Sequence, residues 1–502
     1  MREWEKVSPE QARVPESAVA DFVDRLEADG LTMHGFAMLD RGKMLAEGYW
    51  APFEPSSLHR MYSVGKSFVS LAVGLLQEEG KLKADDRICD YFRDKCPKEG
   101  AHPWTEQTTI RHMLTMTTCH RSTTYKRYSG DWVESFFRVE PTNRPGAVFS
   151  YDTSATHVLA ALVERLSGKK LMDYLREKAF DKIGVSEAAY YMEDPYGSPM
   201  GGSGLNCTLR DVLAVAELVM DGGSYRGEQL LPADYLKEAV SCRISTQQQT
   251  ARDERFGYGY QIWQGRHGSF YFYGIGGQLA VCFPKERFIF AAMGDTLGNK
   301  NGVKDIFDAF EESIYPWLCE NSLCKDSLCE GGFSKDGKRE KASLSRRLSD
   351  LSLAGVQGRE CSDAADGING RVYTFSDNAL QISKLCVEFS EEKNMLHLIK
   401  EGRSLDLAFC STDYLKGEFP RAFLGKEEFA GQGESKAECL CQGRWVMEDY
   451  LLISCLILGR DMANLTIGLR FQNGHVTVKL QKGADDALKT FEGVASSGEQ
   501  SL

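Results

Sequence analysis

Met61-Tyr62-Ser63-Val64-Gly65-Lys66-Ser67-Phe68, continued by Leu71, Ala72, Leu75 and Leu76 and stopped at Gly80, decides how the chain is read. Its apolar residues recur at helical spacing, so an amphipathic helix is predicted with its stripe buried and Ser63 at its mouth. Lys66 follows one turn later on the same face, where its ammonium reaches the Ser63 hydroxyl. Backbone N–H groups and the helix dipole at that end favour negative charge, which stabilises the oxyanion that nucleophilic attack creates. A serine hydroxyl is a weak nucleophile at neutral pH until a base takes its proton. Lys66 is that base if burial lowers its pKa, or else it holds a second base in its charged form. Taken alone, Ser-x-x-Lys is a short pattern of common residues and weak evidence, and an ordinary N-cap followed by a solvated lysine is the plainer reading. Gly65-Lys66-Ser67 also ends like a phosphate loop, but the glycine needed five positions before Gly65 is Arg60, which excludes nucleotide binding there.

Two further segments carry chemistry. Phe149-Ser150-Tyr151-Asp152-Thr153-Ser154 follows Pro145-Gly146 and precedes Ala155, Val158, Leu159, Leu162 and Leu166 at helical spacing, so Tyr151 sits on a loop at a helix entrance. A phenol beside a lysine is driven toward phenolate, and can then take the serine proton and return it to the leaving group. A half-buried tyrosine capping the core is the plainer alternative. Tyr271-Phe272-Tyr273-Gly274-Ile275-Gly276-Gly277-Gln278 ends an apolar strand in glycines, which lets a backbone N–H approach a substrate carbonyl. A simple glycine turn has the same sequence.

Around these pieces, Val19, Phe22, Val23 and Leu26 predict a helix over 18–28, and Phe36–Leu39 with Met44–Trp50 predict a hairpin turning at Asp40-Arg41-Gly42-Lys43. Residues 51–250 are mostly helical in pattern. Strand signals return at Tyr258–Trp263, Phe270–Tyr273, Leu279–Phe283 and Phe288–Ala292, before a helix at about 303–317. Strands at both ends with helices between predict an α+β domain over 1–318, an antiparallel sheet flanked by helices with a large helical insertion. A Ser-, Lys-, Glu- and Gly-rich linker is expected over 319–347. Spaced apolar runs between 371 and 480 then predict an all-β barrel or sandwich over 348–502.

The 502 residues carry 60 basic and 72 acidic side chains, a net charge of −12, and 42% are hydrophobic, which excludes disorder and argues against nucleic acid as a partner. The most apolar stretch, Phe68–Leu76, is about half the ~20 residues a membrane span requires. No secretory signal is legible at the N-terminus. Fifteen cysteines cannot all pair, so reduced thiols and a cytoplasmic location are expected. Cys319, Cys324 and Cys329 have spacing at the wide edge for zinc but no nearby histidine, and are read as ordinary thiols. No metal or cofactor is expected.

Taken in order, the three segments resemble the serine β-lactamase and penicillin-binding-protein-like hydrolases, most closely the class C β-lactamase-related branch with its esterases and 6-aminohexanoate-dimer hydrolases. Thr109-Ile110-Arg111-His112, Gly201-Gly202-Ser203-Gly204-Leu205, Thr208-Leu209-Arg210-Asp211 and Gly257-Tyr258-Gly259-Tyr260 fit that branch as well. The resemblance implies Ser63 as the acylated nucleophile, Lys66 as its activating partner and Tyr151 as general base and acid. It implies an oxyanion hole from the Ser63 N–H and that of Ile275. Substrate contacts fall to Thr153, Gly274, Gly276 and Gly277. Thr153 stands where the family often has Asn, and the third strand lacks the Lys or His that β-lactamases carry. Losing a cation for the substrate carboxylate costs about 1.5–3 kcal/mol, so small esters or amides with a neutral flank are the expected substrates and β-lactamase activity is expected to be weak or absent. Tyr62, Trp132, Phe136, Phe137 and Tyr273 are candidates to line the cleft. The rival reading is a catalytically weak binding or scaffolding protein whose β module, like appendages in this branch, covers the cleft or mediates homo-oligomers.

Overall fold

The computed structural model describes residues 2–7, 11–299, 301–319, 343–378, 381–420, 436–459, 463–482 and 489–495. Cys324, Cys329 and most of the stretch read as a linker lie outside the described residues. The chain divides into two compact units, Met1–Leu353 and Ala354–Leu502. No helix among the described residues is long and apolar enough to cross a membrane.

In the first unit, β1 (Met33–Asp40) and β2 (Lys43–Tyr49) form the expected hairpin, with Arg41 and Gly42 both at positive φ, the twist that suits a two-residue turn. Residues 59–62 and 190–207 add three short strands, β3 (His59–Tyr62), β4 (Tyr190–Tyr191) and β5 (Leu205–Cys207), paired in the order β3-β5-β4. A small hairpin, β6 (Ser224–Tyr225) with β7 (Glu228–Gln229), follows. The chain then returns through β8 (Trp263–Gln264), β9 (Phe270–Gly274), β10 (Gln278–Phe283) and β11 (Phe288–Gly294). The main sheet is antiparallel, in the order β2-β1-β11-β10-β9-β8, so the two ends of the unit meet at β1 and β11.

Both faces of this sheet are covered, which is why β1, β10 and β11 are buried along their whole length. On one face lie α1 (Glu16–Ala28) and the helix Val303–Ser313, with Phe22 edge-on to Phe36 and Phe290 and Phe310 stacked on Phe290 at 5.0 Å. On the other, α2 (Val64–Glu78) and the helix Leu209–Met220 join Ala37, Leu39, Ala280, Ile289, Ala291 and Met293 in one core. Thr109 and Thr208 each open a helix with a capping box. The helix Leu344–Ser349 also belongs to this unit, Arg347 pairing with Asp24 at 2.9 Å.

One expected strand is different. Tyr258–Ile262 is irregular, with isolated bridges from Tyr258 to Ile244 and Trp263, and Trp263–Gln264 alone forms a strand, because Gln261 takes φ 59° and turns inward as a polar hub. Its amide donates to Met113 O at 2.7 Å, its Oε1 accepts from Thr156 at 2.6 Å and its backbone carbonyl accepts from Ser67 at 2.7 Å. That residue thereby joins α2 to the helices Ile110–Leu114 and Thr153–Ser167.

The second unit is all-β, as expected. Its strands are β12 (Val372–Phe375), β13 (Ile382–Glu388), β14 (Asn394–Lys400), β15 (Arg403–Phe409), β16 (Leu415–Pro420), β17 (Lys436–Met447), β18 (Tyr450–Ile457), β19 (Ala463–Gln472), β20 (His475–Lys482) and β21 (Lys489–Ala495). They form one antiparallel sheet in the order β15-β14-β13-β12-β21-β20-β19-β18-β17-β16. Its end strands, β15 and β16, are not laddered to each other, so the sheet does not close into a barrel.

Candidate active site

β3 delivers Ser63 to the first turn of α2 through a tight corner in which Tyr62 has φ 45°, a left-handed conformation that a bulky residue adopts at some cost. Ser63 occupies the N-cap position, yet its hydroxyl makes no capping hydrogen bond. Instead the Lys66 ammonium donates to Ser63 Oγ at 2.8 Å. The same nitrogen donates to the carbonyl of Gly202 at 2.5 Å and stands 5.0 Å from the centre of the Tyr151 ring. Lys66 is only 1% exposed. Burial without a directly bonded carboxylate disfavours the ammonium and lowers its pKa to about 7, with the charge of Asp152 pulling weakly the other way. These contacts separate the arrangement from a capping serine beside a solvated lysine.

Gly202 explains how Lys66 is held. The turn Gly201–Gly204 packs against the helix Thr153–Ser167, and a Cβ on Gly202 would lie 2.4 Å from Thr153 Cγ2 and 3.5 Å from Lys66 Nζ. Only glycine lets that carbonyl reach the lysine. Arg60 fixes the turn from the other side, donating to Ser203 O at 3.0 Å.

Burial raises the Tyr151 pKa, and the neighbouring Ser63 hydroxyl pulls it the other way more weakly. The rise is opposite to the drive toward phenolate expected of a neighbouring lysine, because loss of solvent around the buried phenol outweighs it. The ring stacks on Trp263 at 5.7 Å, within a group that includes Phe149 and Tyr258. The charges of Tyr273 and Glu254 also disfavour its phenolate.

At the third segment, a Cβ on Gly274 would lie 2.3 Å from Met61 O, so the end of β9 abuts β3 two residues before Ser63. Ile275 follows, 44% exposed, its carbonyl accepting from Gln278 at 3.1 Å. Gly276 and Gly277, at φ 88° and 98°, complete the turn into β10. Thr153 opens its helix beside Gly202.

Of the aromatic candidates, Phe136 and Phe137 are core residues. Trp132 stacks on Tyr125 at 4.1 Å, and Tyr62 lies under the Arg60 guanidinium at 4.7 Å. Two acids escaped the sequence reading. Asp152 is fully buried, caps the next helix through Ser154 N at 2.9 Å, keeps Oδ2 without a partner, and has its pKa raised to about 6 by burial. Glu254 is half-buried, with a pKa raised by burial, on the turn Arg252–Glu254. The carboxyl of Asp152 was legible only as a polar residue before a helix, and Glu254 carried no signal.

The β-lactamase family model matches residues 18–311, and the chain belongs to that family. The 6-aminohexanoate-dimer hydrolase of Paenarthrobacter ureafaciens is 25% identical over 236 residues, which are 44% of this chain and 60% of that protein. The chain thus spans about three fifths of the length of this curated relative. A penicillin-binding protein homologue from Caulobacter crescentus superposes with a TM-score of 0.50 at 15% identity, covering 63% of this chain and all of the other. The octameric penicillin-binding protein homologue of Pyrococcus abyssi gives 0.47 at 15% identity, covering 94% and 99%.

Proposed function

We propose that the first unit is a serine hydrolase that cleaves a small ester or amide through an acyl-enzyme on Ser63. The observation that carries this reading is the Ser63 hydroxyl, left out of helix capping and bonded to a buried lysine whose pKa is about 7. Near neutral pH a large share of Lys66 is the free amine. The amine takes the Ser63 proton as Oγ bonds to the substrate carbonyl carbon, and the carbonyl electrons move to oxygen. The N–H groups of Ser63 and Ile275 receive that oxyanion. Tyr151, kept as a neutral phenol by burial, gives its proton to the leaving group and regains one from Lys66. Water then attacks the acyl carbonyl, its proton passes through the same pair to Ser63 Oγ as the bond from that oxygen to the acyl carbon breaks, and the acid departs with the Ser63 hydroxyl restored.

Glu254 and the aromatic end of β9 support a substrate without an anionic flank, because the charge of Glu254 reaches both Tyr151 and Tyr273. A carboxylate beside the scissile bond meets no cation on that strand and loses about 1.5–3 kcal/mol, roughly 10- to 200-fold. β-Lactams are therefore poor substrates in this reading. The 6-aminohexanoate-dimer hydrolase relative is in keeping with amide chemistry. Every described cysteine is a free thiol, which supports a cytoplasmic location.

Pre-steady-state hydrolysis of p-nitrophenyl esters tests the mechanism. A burst stoichiometric with enzyme, absent in Ser63→Ala, is expected, with anionic esters and a chromogenic cephalosporin turned over least. Full turnover by folded Ser63→Ala would overturn the mechanism, and no turnover of any substrate by folded wild type would favour a binding protein.

A further inference from the structure

The second unit contains a sulfur cluster that the hydrolase chemistry does not use. Cys441 on β17 is paired directly with Cys455 on β18, and Cys439 lies two residues before Cys441, on the same face of its strand. All three side chains are fully buried in the core of this unit. Their sulfurs lie within 4.8 Å of one another, with Cys439 Sγ and Cys441 Sγ 3.8 Å apart. Gly417 on β16 pairs with Cys439, and a Cβ there would meet, among the described residues, Cys439 Sγ at 3.8 Å.

A planar three-sulfur site with bonds of about 2.3 Å has sulfur–sulfur edges of about 4.0 Å, so contraction by less than 1 Å closes the triangle. Thiolates select soft cations such as cuprous copper and zinc. Structural zinc takes four protein ligands, and no fourth His, Cys, Asp or Glu joins this group among the described residues. We propose that Cys439, Cys441 and Cys455 form a three-coordinate site for a cuprous ion.

The cuprous ion forms three copper–sulfur bonds as the thiols release protons to solvent, and no electron is transferred.

The test uses the full chain, reduced and loaded anaerobically with cuprous ion, then challenged with a cuprous chelator, with copper per protein as the readout. Wild type and Cys386→Ser, a buried cysteine on β13 outside the cluster, are expected to retain one equivalent. Cys439→Ser, Cys441→Ser and Cys455→Ser are each expected to retain less than a tenth of that. X-ray absorption on loaded wild type is expected to count three sulfurs, a readout that decides the matter even where a variant fails to fold. Loss of copper from wild type to the chelator, full retention by folded Cys455→Ser, a lower sulfur count, or preference for zinc from an equimolar mixture would each overturn the assignment.

Discussion

Lys66→Met removes the amine at the centre of the proposed mechanism, and the burial of that amine fixes what the substitution does to stability. Folding takes the lysine from its ordinary pKa of 10.5 to about 7, so between those values the unfolded chain binds more protons than the folded one and stability rises with pH. At 1.36 kcal/mol per unit, the folded wild type carries a penalty of about 4 kcal/mol at pH 7, which falls to about 1.5 at pH 9.5. The variant has no such penalty, but it leaves the Gly202 carbonyl unpaired and removes the bond to Ser63, a loss of about 1–3 kcal/mol that does not vary with pH. Lys66→Met is therefore more stable than wild type by about 1–3 kcal/mol at pH 7, with the advantage shrinking by about 3 kcal/mol on going to pH 9.5. Urea unfolding followed by tryptophan fluorescence reads this, since all tryptophans but Trp445 lie in the first unit. The same variant loses about 10²–10⁴ in kcat/KM. A stability difference flat across that pH range would refute the buried, perturbed lysine.

In wild type, kcat/KM is expected to rise with pH through about 7 as Lys66 loses its proton, and Asp152→Asn is expected to move that limb to lower pH, since the carboxylate charge holds the lysine pKa up; a limb that stays in place would detach Asp152 from the site. Gly274→Ala forces a Cβ to within 2.3 Å of Met61 O, so β9 and β3 must part. A loss of about 1–3 kcal/mol in stability and at least about tenfold in kcat is expected, and unchanged kinetics would show that the strand end has no part in catalysis. Gln261→Leu strips the hub of its bonds to Thr156 and Met113 and is expected to destabilise the first unit by about 3 kcal/mol, measured by the same urea titration.

What the sequence disclosed follows from periodicity. The α2 stripe placed Ser63 and Lys66 one turn apart because a helix permits little else, and the Arg41-Gly42 turn declared the first hairpin. The acceptor that locks Lys66 is a backbone carbonyl at Gly202, and a carbonyl has no signature in the residue that carries it. Tyr258–Ile262 alternates like a strand, yet Gln261 gains more from three buried helix contacts than from a ladder, so tertiary bonding overrides the pattern. Phe136 and Phe137 pack in the core, where residues on a short helix between loops are hard to tell from a cleft lining. The cysteine triad depends on the register of β17 against β18, which spacing along one chain does not fix.

The central claim is an activated Ser63, and the most direct measurement is intact mass after exposure to a fluorophosphonate. One adduct is expected on wild type near neutral pH, none on folded Ser63→Ala, and slower labelling on Lys66→Met. An unlabelled, folded wild type, or a Ser63→Ala variant labelled as fast as wild type, would contradict it.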